Sequence, residues 1–302
     1  MDKAKLKEEL TKRISSPVLE NEPLAQHTTW KIGGPADFLI EPQSIEELSL
    51  VIRFLTENAV NFRVIGNGSN ILVLDRGFRG VIIKTKKINK VEITAGGQVF
   101  AEAGVLLPAL AARALKFGLS GLEELCAIPG SVGGAVRQNA GAHGKEIKDV
   151  LKRVWTINEK GELKEFFANE CGFKYRSSRF KEEKQWIVKA EFSLNPGDKK
   201  EILKKIREFR EKRLASQPLE FPNAGSVFKN PEGIPAWKLI KEAGAQGLKK
   251  GGAMVSEKHA NFIINTGGAS AADVIYLINK IQELVWKKFS VKLLLEVEVL
   301  GE

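Results

Sequence analysis

A stretch of 17 residues, Ile128–Gly144, limits what this chain can fold into more than any other feature. It carries five glycines, at positions 130, 133, 134, 141 and 144, interleaved with Ser131, Asn139 and several alanines. So little side chain lets the backbone come close to a ligand, and glycine at positive φ can turn successive N–H groups into an anion-binding nest. A single such loop is usually structural. A second one, Gly66–Asn70 (GNGSN), lies upstream between two predicted strands, so the pair favours a large phosphate-bearing ligand.

The length and composition limit the architecture and the compartment. At 302 residues the chain exceeds the usual size of one domain, so two or three domains are expected. A hydrophobic content of 43% is typical of a soluble globular protein, and no apolar run approaches the ~20 residues that span a bilayer. The two cysteines and three histidines have no metal or disulfide spacing. We therefore expect a cytoplasmic protein with no metal and no membrane partner.

The net charge of +10 requires an anionic partner or some other reason. Nucleic acid is one candidate. The densest basic cluster, Lys199–Arg213, is broken by glutamates and has cations on several helical faces, as a solvated helix does. The chain also lacks a recognisable nucleic-acid-binding motif. We therefore favour a cytoplasmic enzyme that handles several anionic small molecules, and expect no nucleic-acid partner.

Hydrophobic periodicity predicts an α+β chain with mainly antiparallel strands. Ser44 is the predicted N-cap of the second helix, because Glu46 and Glu47 follow it in the first turn. A turn at Asn195–Asp198 marks a domain boundary. The predicted helices cover 2–14, 44–59, 107–117, 199–215, 236–243 and 270–289, and the strands cover 37–40, 62–65, 71–74, 80–84, 90–95, 98–103, 151–158, 163–167, 186–194, 261–265 and 291–300.

The common nucleotide-binding fingerprints are missing. GNGSNI lacks the third glycine of the Rossmann motif, and Gly144-Lys145 is followed by Glu146 without the upstream glycine of a Walker loop. The hydrolase motifs HExxH and GxSxG do not occur either. A nucleotide bound by this chain is therefore held by another fold.

Three further motifs carry candidate residues whose function the pattern alone leaves open. Ser226 in PNAGSVFKNP is equally explained as a loop hydroxyl that caps a backbone group. The motif YRSSRF, Tyr175–Phe180, is equally explained as a surface loop with solvated arginines. The alternation LEVEV places Glu296 and Glu298 on one face of a predicted strand, which is usually the solvent side.

Taken together, the motifs resemble the UDP-N-acetylenolpyruvoylglucosamine reductase family, flavoenzymes of bacterial peptidoglycan synthesis. Seven motifs follow in the family's order over nearly the whole chain: HTTWKIGGPADFLIEP, IGNGSNILVLDRGFRGVII, IPGSVGGAVRQNAGAHG, YRSSRF, PNAGSVFKNP, GGAMVSEKHANFIIN and LEVEV. The resemblance implies an FAD-binding fold of the vanillyl-alcohol-oxidase type in two α+β subdomains, with a C-terminal α+β substrate domain. Together with the composition breaks, it implies subdomains at 1–80 and 81–197 and a substrate domain at 198–302, whose last strand is a candidate to return to the first subdomain.

The resemblance also implies ligands. NADPH and a UDP-sugar are the small-molecule partners, and we expect a monomer. In that fold the two glycine-rich stretches hold the FAD pyrophosphate, which implies cofactor contacts from Gly66, Asn67, Gly68, Ser69, Asn70, Pro129, Gly130, Ser131, Val132, Gly133, Gly134, Asn139, Ala140 and Gly141. Contacts with the substrate are implied for Tyr175, Lys229 and Asn230.

The reaction implied by the resemblance has two halves. NADPH first reduces the flavin, and hydride then passes from the flavin to C3 of the enolpyruvyl group while C2 takes a proton. This chemistry needs a cation near the substrate carboxylate and an acid at C2. By resemblance, Arg176 is the cation, Ser226 is the proton donor and Glu298 assists at the enolate. Arg179 and Glu296 compete for two of these roles, but Arg176 follows the tyrosine directly and Glu298 precedes a valine and a short apolar tail, as in the family.

The chain also departs from the family pattern. Cys126-Ala127 stands where a glycine is expected, and Arg137-Gln138 replaces larger, less polar residues. The short link from YRSSRF to Trp186 has no room for an inserted tyrosine-bearing loop, so the chain resembles the shorter, type II class.

Two functions are alternatives to this reductase. One is an oxidase of the same fold, which would react readily with oxygen, and the other is a nucleic-acid-binding protein without flavin, which would be colourless.

Overall fold

The computed structural model describes residues 2–94 and 96–302 of the chain. Its helices are α1 Lys3–Thr11, α2 Ile45–Glu57, α3 Leu107–Lys116, α4 Val132–Gln138, α5 Lys199–Ser216, α6 Ala236–Glu242 and α7 Ala271–Phe289. Its strands are β1 Leu19–Pro23, β2 Pro35–Ile40, β3 Phe62–Ile65, β4 Ile71–Val73, β5 Phe78–Lys84, β6 Val91–Ile93, β7 Val99–Glu102, β8 Leu119–Ser120, β9 Gly141–Ala142, β10 Lys145–Glu146, β11 Leu151–Asn158, β12 Leu163–Phe167, β13 Gln185–Phe192, β14 Asn195–Pro196, β15 Lys249–Lys250, β16 Ala253–Val255, β17 Ile263–Asn265 and β18 Glu298–Leu300.

Most of the strand pairing is antiparallel. A five-stranded antiparallel sheet has the order β12-β11-β13-β7-β6. A four-stranded sheet has the order β1-β2-β5-β3, with β3 parallel to β5. A smaller antiparallel sheet has the order β15-β16-β17, and β9 with β10, β8 with β14 and β4 with β18 form pairs. These sheets and the helices confirm the predicted α+β class.

The chain divides into two compact units, each built from separate segments. Unit 1 comprises the chain up to Glu20, Phe38–Asn67 and Gly80–Lys212. Unit 2 comprises Asn21–Asp37, Gly68–Arg79 and Arg213–Glu302. The division into three domains that the sequence suggests remains a prediction.

Each unit has its own hydrophobic core. In unit 1, α3 and α4 bury their apolar faces in one cluster with residues of β7, β11 and β13. A second cluster of unit 1 joins α1 and α2 to residues of β2 and β5. In unit 2, α7 buries an apolar stripe at helical spacing, and Trp30 packs in the same cluster with no exposed surface. The units therefore have cores large enough to position loops firmly.

Several local predictions are confirmed. Helix α2 begins after Ser44, whose side chain accepts a hydrogen bond of 3.2 Å from the N–H of Glu47. Strands β3, β11 and β12 have the predicted bounds. The strand predicted at 90–95 is the shorter β6, and its predicted last residue, Ala95, lies outside the described residues.

Two predictions are wrong. The glycine-rich stretch is not all loop, because Val132–Gln138 is helical, with Val132, Ala135 and Val136 buried. The last strand was predicted over 291–300 but is regular only at Glu298–Leu300. Before it, the backbone makes a single bridge, between Leu295 and Phe228. Glu296 therefore lies outside the strand that contains Glu298.

Across 2–94 and 96–302, no helix is both long enough and apolar enough to cross a membrane. The same residues contain no group of three or more His, Cys, Asp or Glu side chains placed to hold a metal ion.

Candidate active site

The two glycine-rich stretches contact each other in unit 1. The amide of Asn67 donates a hydrogen bond of 2.6 Å to the carbonyl of Pro129. A Cβ atom added to Gly66 would collide with the hydroxyl of Ser131. A side chain at Gly66 would therefore force Ser131 to move, and the two stretches that the sequence singles out lie close together.

The hydroxyl of Ser131 has a feature that points to a ligand. It is buried, and no group in the described part of the chain forms a hydrogen bond with it. Leaving a buried hydroxyl unpaired costs about 1–3 kcal/mol. Gly134 lies beside it, with open space where a side chain would be, since an added Cβ would meet only Ser131 Oγ, at 3.6 Å. A ligand oxygen, such as one of a phosphate, fits both observations.

Two of the predicted cofactor contacts already use their N–H groups within the protein. Val132 donates to the carbonyl of Val105 at 2.8 Å, and Gly133 donates to that of Ala103 at 2.9 Å. An added Cβ at Gly133 would lie 2.9 Å from the Cβ of Ala103. These two residues therefore fix the start of α4 against the chain before α3, and in this arrangement their N–H groups do not point to a ligand.

A cavity of about 560 Å³ opens in unit 1 beside these loops, within the ~300–1,000 Å³ usual for a ligand pocket. Gly66, Gly133 and Gly134 form part of its wall. The rings of Phe62 and Trp186, 5.1 Å apart, form another part. The charged groups of the wall are the cations Arg63, Arg137, Lys181 and Lys184 and the carboxylates Glu159, Glu182 and Glu183. The wall thus combines apolar rings, backbone groups and charges of both signs, and its cations are the groups that suit an anionic, nucleotide-like molecule.

Asn139, predicted as a cofactor contact, is fully buried and ends α4 in the left-handed conformation, with φ of 45°. Its amide donates to Glu146 Oε2 at 2.9 Å and to the carbonyl of Lys174 at 3.1 Å. Its oxygen accepts from the N–H of Lys148 at 3.1 Å. In this arrangement the side chain ties the end of α4 to the segment before Tyr175.

The neighbouring predictions Ala140 and Gly141 also have internal partners. The N–H of Ala140 donates to Ala135 at 2.8 Å, and its carbonyl accepts from Ile147 at 2.9 Å. Gly141 begins β9, where an added Cβ would lie 2.8 Å from Glu146 Cγ. Its carbonyl accepts a hydrogen bond from Arg176. An added Cβ would also lie 2.8 Å from the backbone carbonyl of Lys145, and this approach, with those of Glu146 and Arg176, explains why glycine stands at this position.

Tyr175 and Arg176 form the tip of a tight turn. Lys174 and Ser177 on either side exchange backbone hydrogen bonds of 3.0 and 3.1 Å. Arg176 has φ of 51°, an uncommon conformation for a residue with a side chain. Its guanidinium donates to the carbonyl of Gly141 at 2.9 Å and lies 5.0 Å from the ring of Tyr175.

The competing arginine, Arg179, has different partners. Its Nε donates to both oxygens of Glu183, at 2.9 and 3.0 Å. Its Nη1 donates to the carbonyl of Glu170 at 2.8 Å, and its guanidinium lies over the ring of Phe166. These contacts commit Arg179 to its own loop, whereas Arg176 is held by the glycine-rich stretch.

Ser226 belongs to unit 2, in a segment held on both sides. On one side, the N–H of Val227 donates to the carbonyl of Asn261 at 2.8 Å. The side chain of Asn261 then bonds both backbone groups of Phe228, at 2.9 and 2.8 Å. On the other side, Glu296 donates its N–H to the carbonyl of Val227 at 2.8 Å. The backbone on the C-terminal side of Ser226 is therefore firmly placed.

Lys229 and Asn230, predicted to contact substrate, follow in the same segment. The N–H of Lys229 donates to the carbonyl of Leu294 at 2.8 Å. The side-chain oxygen of Asn230 accepts the N–H of Ala236 at 2.9 Å, at the first residue of α6. Asn230 therefore has a structural partner in this arrangement, whatever else it contacts.

Glu298 lies next to the other half of the GNGSN motif. It begins β18, is paired with Ile71 in parallel register, and donates its N–H to the carbonyl of Asn70 at 3.0 Å. The amide of Asn70 donates in turn to the carbonyl of Glu296 at 3.1 Å. Gly68 has φ of 67°, and an added Cβ would collide with the carbonyl of His27. Unit 2 thus joins the Gly68–Asn70 segment to the Ser226 segment through residues 294–298.

Thr29 is a residue of this site that sequence reasoning missed. It donates its N–H to the carbonyl of Gly68 at 3.1 Å and its hydroxyl to the carbonyl of Asn223 at 2.7 Å. It therefore connects the two loops that carry the predicted residues of unit 2. The motif HTTW, residues 27–30, contributes to the family resemblance, but its pattern does not indicate this role for Thr29.

Comparison with known proteins identifies the class. A family model described as an FAD binding domain matches residues 36–166. A second model, the C-terminal domain of UDP-N-acetylenolpyruvoylglucosamine reductase, matches residues 217–300. The chain is thus an FAD-dependent oxidoreductase, and the predicted fold class and FAD cofactor are confirmed.

Individual relatives narrow the class to one family. A UDP-N-acetylenolpyruvoylglucosamine reductase of Carboxydothermus hydrogenoformans is 99% identical over the full length of both chains. One of Alkaliphilus oremlandii is 43% identical, again over both full lengths. A crystal structure of the reductase from Thermus caldophilus matches with a TM-score of 0.80 and 37% identity, covering 92% of this chain and 97% of that one. The chain belongs to the UDP-N-acetylenolpyruvoylglucosamine reductase family.

Proposed function

We propose that this enzyme reduces the enolpyruvyl group of UDP-N-acetylglucosamine enolpyruvate to give UDP-N-acetylmuramate. NADPH is the reductant, and the product serves bacterial peptidoglycan synthesis in the cytoplasm. The enzyme acts as a monomer of the type II class. This proposal rests on the family membership and on the match of YRSSRF, NAGSVF and LEVEV to the family's motifs.

The residues of unit 1 fit an FAD pyrophosphate. The unpaired hydroxyl of Ser131 is a donor for a phosphate oxygen, and Gly134 leaves space for that oxygen to approach. Gly134 also lines the cavity of unit 1, whose wall carries Arg63 and Arg137 as groups for an anionic molecule, beside three glutamates. Bound FAD supplies the hydride transfer, first as acceptor and then as donor.

The protein's own residues provide for the charge that develops in the substrate. Arg176 is the proposed cation for the substrate carboxylate, with Tyr175 and Lys229 as further substrate contacts. Ser226 donates its hydroxyl proton to C2 after C3 has received hydride. A serine is a weak acid, so Glu298 is proposed to assist at the enolate and Lys229 to stabilise the alkoxide.

A single structural observation contributes most to this assignment. Within unit 2, the backbone that follows Ser226 is hydrogen-bonded to residues 294–296. Two residues further along the chain, the N–H of Glu298 donates to the carbonyl of Asn70, whose side-chain amide donates to the carbonyl of Glu296. The proposed proton donor, the assisting carboxylate and part of the proposed flavin loop therefore lie on neighbouring segments that are hydrogen-bonded to one another. Such a rigid support suits proton donation, because a positioned acid must be held within hydrogen-bonding distance of its target.

The proposal is tested by turnover with product analysis. FAD-loaded enzyme receives NADPH with and without the enolpyruvyl sugar nucleotide. We expect NADPH oxidation to require the sugar nucleotide. Mass spectrometry should show one product molecule for each NADPH consumed, heavier than the substrate by two hydrogens. NADPH oxidation at the same rate with oxygen alone would contradict the proposal and favour an oxidase of the same fold.

A further inference from the structure

The guanidinium of Arg176 is held by Gly141 and Glu146 of its own unit, and Glu146 has no role assigned so far. The Nη2 of Arg176 donates to the carbonyl of Gly141 at 2.9 Å, and its Nη1 lies 3.6 Å from Glu146 Oε1. The two side chains are 18% and 19% exposed, so water screens their charges less than it would at the open surface. Gly141 and Glu146 face each other in the β9–β10 pair.

The other oxygen of Glu146 is fixed as well. Oε2 accepts from the amide of Asn139 at 2.9 Å and lies 3.1 Å from the ammonium of Lys148. The hydrogen bond with Glu146 raises the pKa of Lys148. The same amide of Asn139 also bonds the carbonyl of Lys174, directly before the Tyr175–Arg176 turn. Residues 139–148 thus hold both the backbone approach to the turn and the guanidinium at its tip.

We propose that Glu146 is a positioning residue for Arg176 in the proposed reaction. An arginine side chain has several rotatable bonds, so an unrestrained guanidinium loses conformational entropy when it binds a ligand. Contacts on two sides orient the guanidinium before the substrate carboxylate arrives, which lowers the entropy lost on binding. Glu146 acts through Arg176 and does not itself contact the reacting atoms. The inference rests on the proposed function.

The test is the variant Glu146→Gln, which keeps the size of the side chain but removes its charge. We expect KM for the enolpyruvyl sugar nucleotide to rise and the rate of flavin reoxidation by that substrate to fall. The ratio of this rate to KM should decrease by ~10–100-fold, as for a displaced catalytic group. FAD affinity and the rate of flavin reduction by NADPH should stay within a factor of about two. Glu146→Asp restores the charge one methylene shorter and should recover part of the loss.

Glu165→Gln is the matched control. Its carboxylate pairs with an arginine of the same unit, Arg153, at 2.8 Å on strand β12, but it has no part in the Arg176 network. We expect both half-reactions of this variant to match wild type.

Three results would overturn the inference while leaving the proposed function intact: unchanged sugar-dependent reoxidation in Glu146→Gln, tighter sugar binding in that variant, or equal losses in both half-reactions without recovery in Glu146→Asp. If the sugar nucleotide does not reoxidise the reduced flavin of the wild-type enzyme, the proposed function is overturned, and the inference with it.

Discussion

Ser226 has little freedom in its backbone, although its neighbourhood reads in the sequence as an ordinary loop. Gly225 before it has φ of 75°, a conformation that favours glycine, and Val227 after it is bonded on both sides. A hydroxyl on such a fixed support can act as an acid only if a strong base forms next to it. The proposed enolate at C2 is such a base.

The variant Ser226→Ala should therefore separate the two half-reactions. The proposed role of the Ser226 hydroxyl begins only after hydride has reached C3, so FAD binding and flavin reduction by NADPH should stay nearly unchanged in the variant. Reoxidation by the sugar nucleotide should slow by ~10²–10⁴-fold, the usual cost of losing a positioned acid. Rapid-mixing absorbance of the flavin measures both steps. Ser226→Cys should recover part of the rate, and a loss confined to the NADPH step would leave Ser226 as a structural hydroxyl.

Arg176 and Arg179 are a pair whose contacts predict different results. Arg176→Ala should weaken binding of the sugar nucleotide and slow reoxidation by ~10²–10³-fold, as for removal of one donor to a developing charge. Arg179→Ala should have little effect on either, because its partners are Glu183 and the carbonyl of Glu170. Saturation kinetics of the reoxidation step give both quantities. The reverse ranking of the two variants would transfer the role to Arg179.

Helix α4 shows, at the scale of an element, why the glycine-rich stretch was only half predicted. Each glycine costs a helix about 1 kcal/mol relative to alanine, so VGGAVRQ favours a loop by local preference. The structure offsets this through tertiary contacts, since the helix buries Val132 and Val136 and bonds the N–H groups of its first residues to the segment before α3. Such contacts are not visible in a local pattern.

Gly133 and Gly134 are adjacent in α4 but should respond differently to substitution. Gly133→Val places a side chain against Ala103 and should lower both FAD affinity and the stability of the cofactor-free protein. Gly134→Ala meets only Ser131 Oγ, at an ordinary contact distance, and alanine favours a helix over glycine, so its unfolding midpoint should equal or exceed that of wild type. If the pyrophosphate lies here, the FAD dissociation constant of Gly134→Ala should rise at least ~10-fold, about 1.4 kcal/mol. Fluorescence titration with FAD and urea unfolding measure the two effects, and normal FAD affinity in Gly134→Ala would contradict the assignment.

The alternation LEVEV, Leu295–Val299, predicts that the C-terminal segment is one strand. In the structure, residues 294–296 bond to the Ser226 segment, and only Glu298–Leu300 pair regularly, with β4. The alternation correctly indicated an extended chain, but it could not show that this chain changes partner between Glu296 and Glu298. That change distinguishes the two glutamates, which the pattern alone treated as equivalent.

At the scale of the whole molecule, periodicity predicts the α+β class, and the resemblance carried by the order of the motifs is enough for the FAD-binding fold, the FAD cofactor and the family. The segments of each unit were not predictable in this way, because both units are assembled from three separate parts of the chain. A break in composition marks a boundary along the sequence, whereas a compact unit depends on contacts between distant residues. For the same reason the sequence did not indicate Glu146 or Thr29, whose importance comes from partners far along the chain.

The identity of the electron acceptor tests the central claim most directly. In a sealed anaerobic cell, NADPH first reduces FAD-loaded wild-type enzyme, and the enolpyruvyl sugar nucleotide is then added. We predict that the visible absorption of oxidised flavin returns at a rate no slower than kcat, with one saturated product formed for each flavin. Flavin that stays reduced with the sugar nucleotide but is oxidised when oxygen is admitted would contradict the proposed reaction.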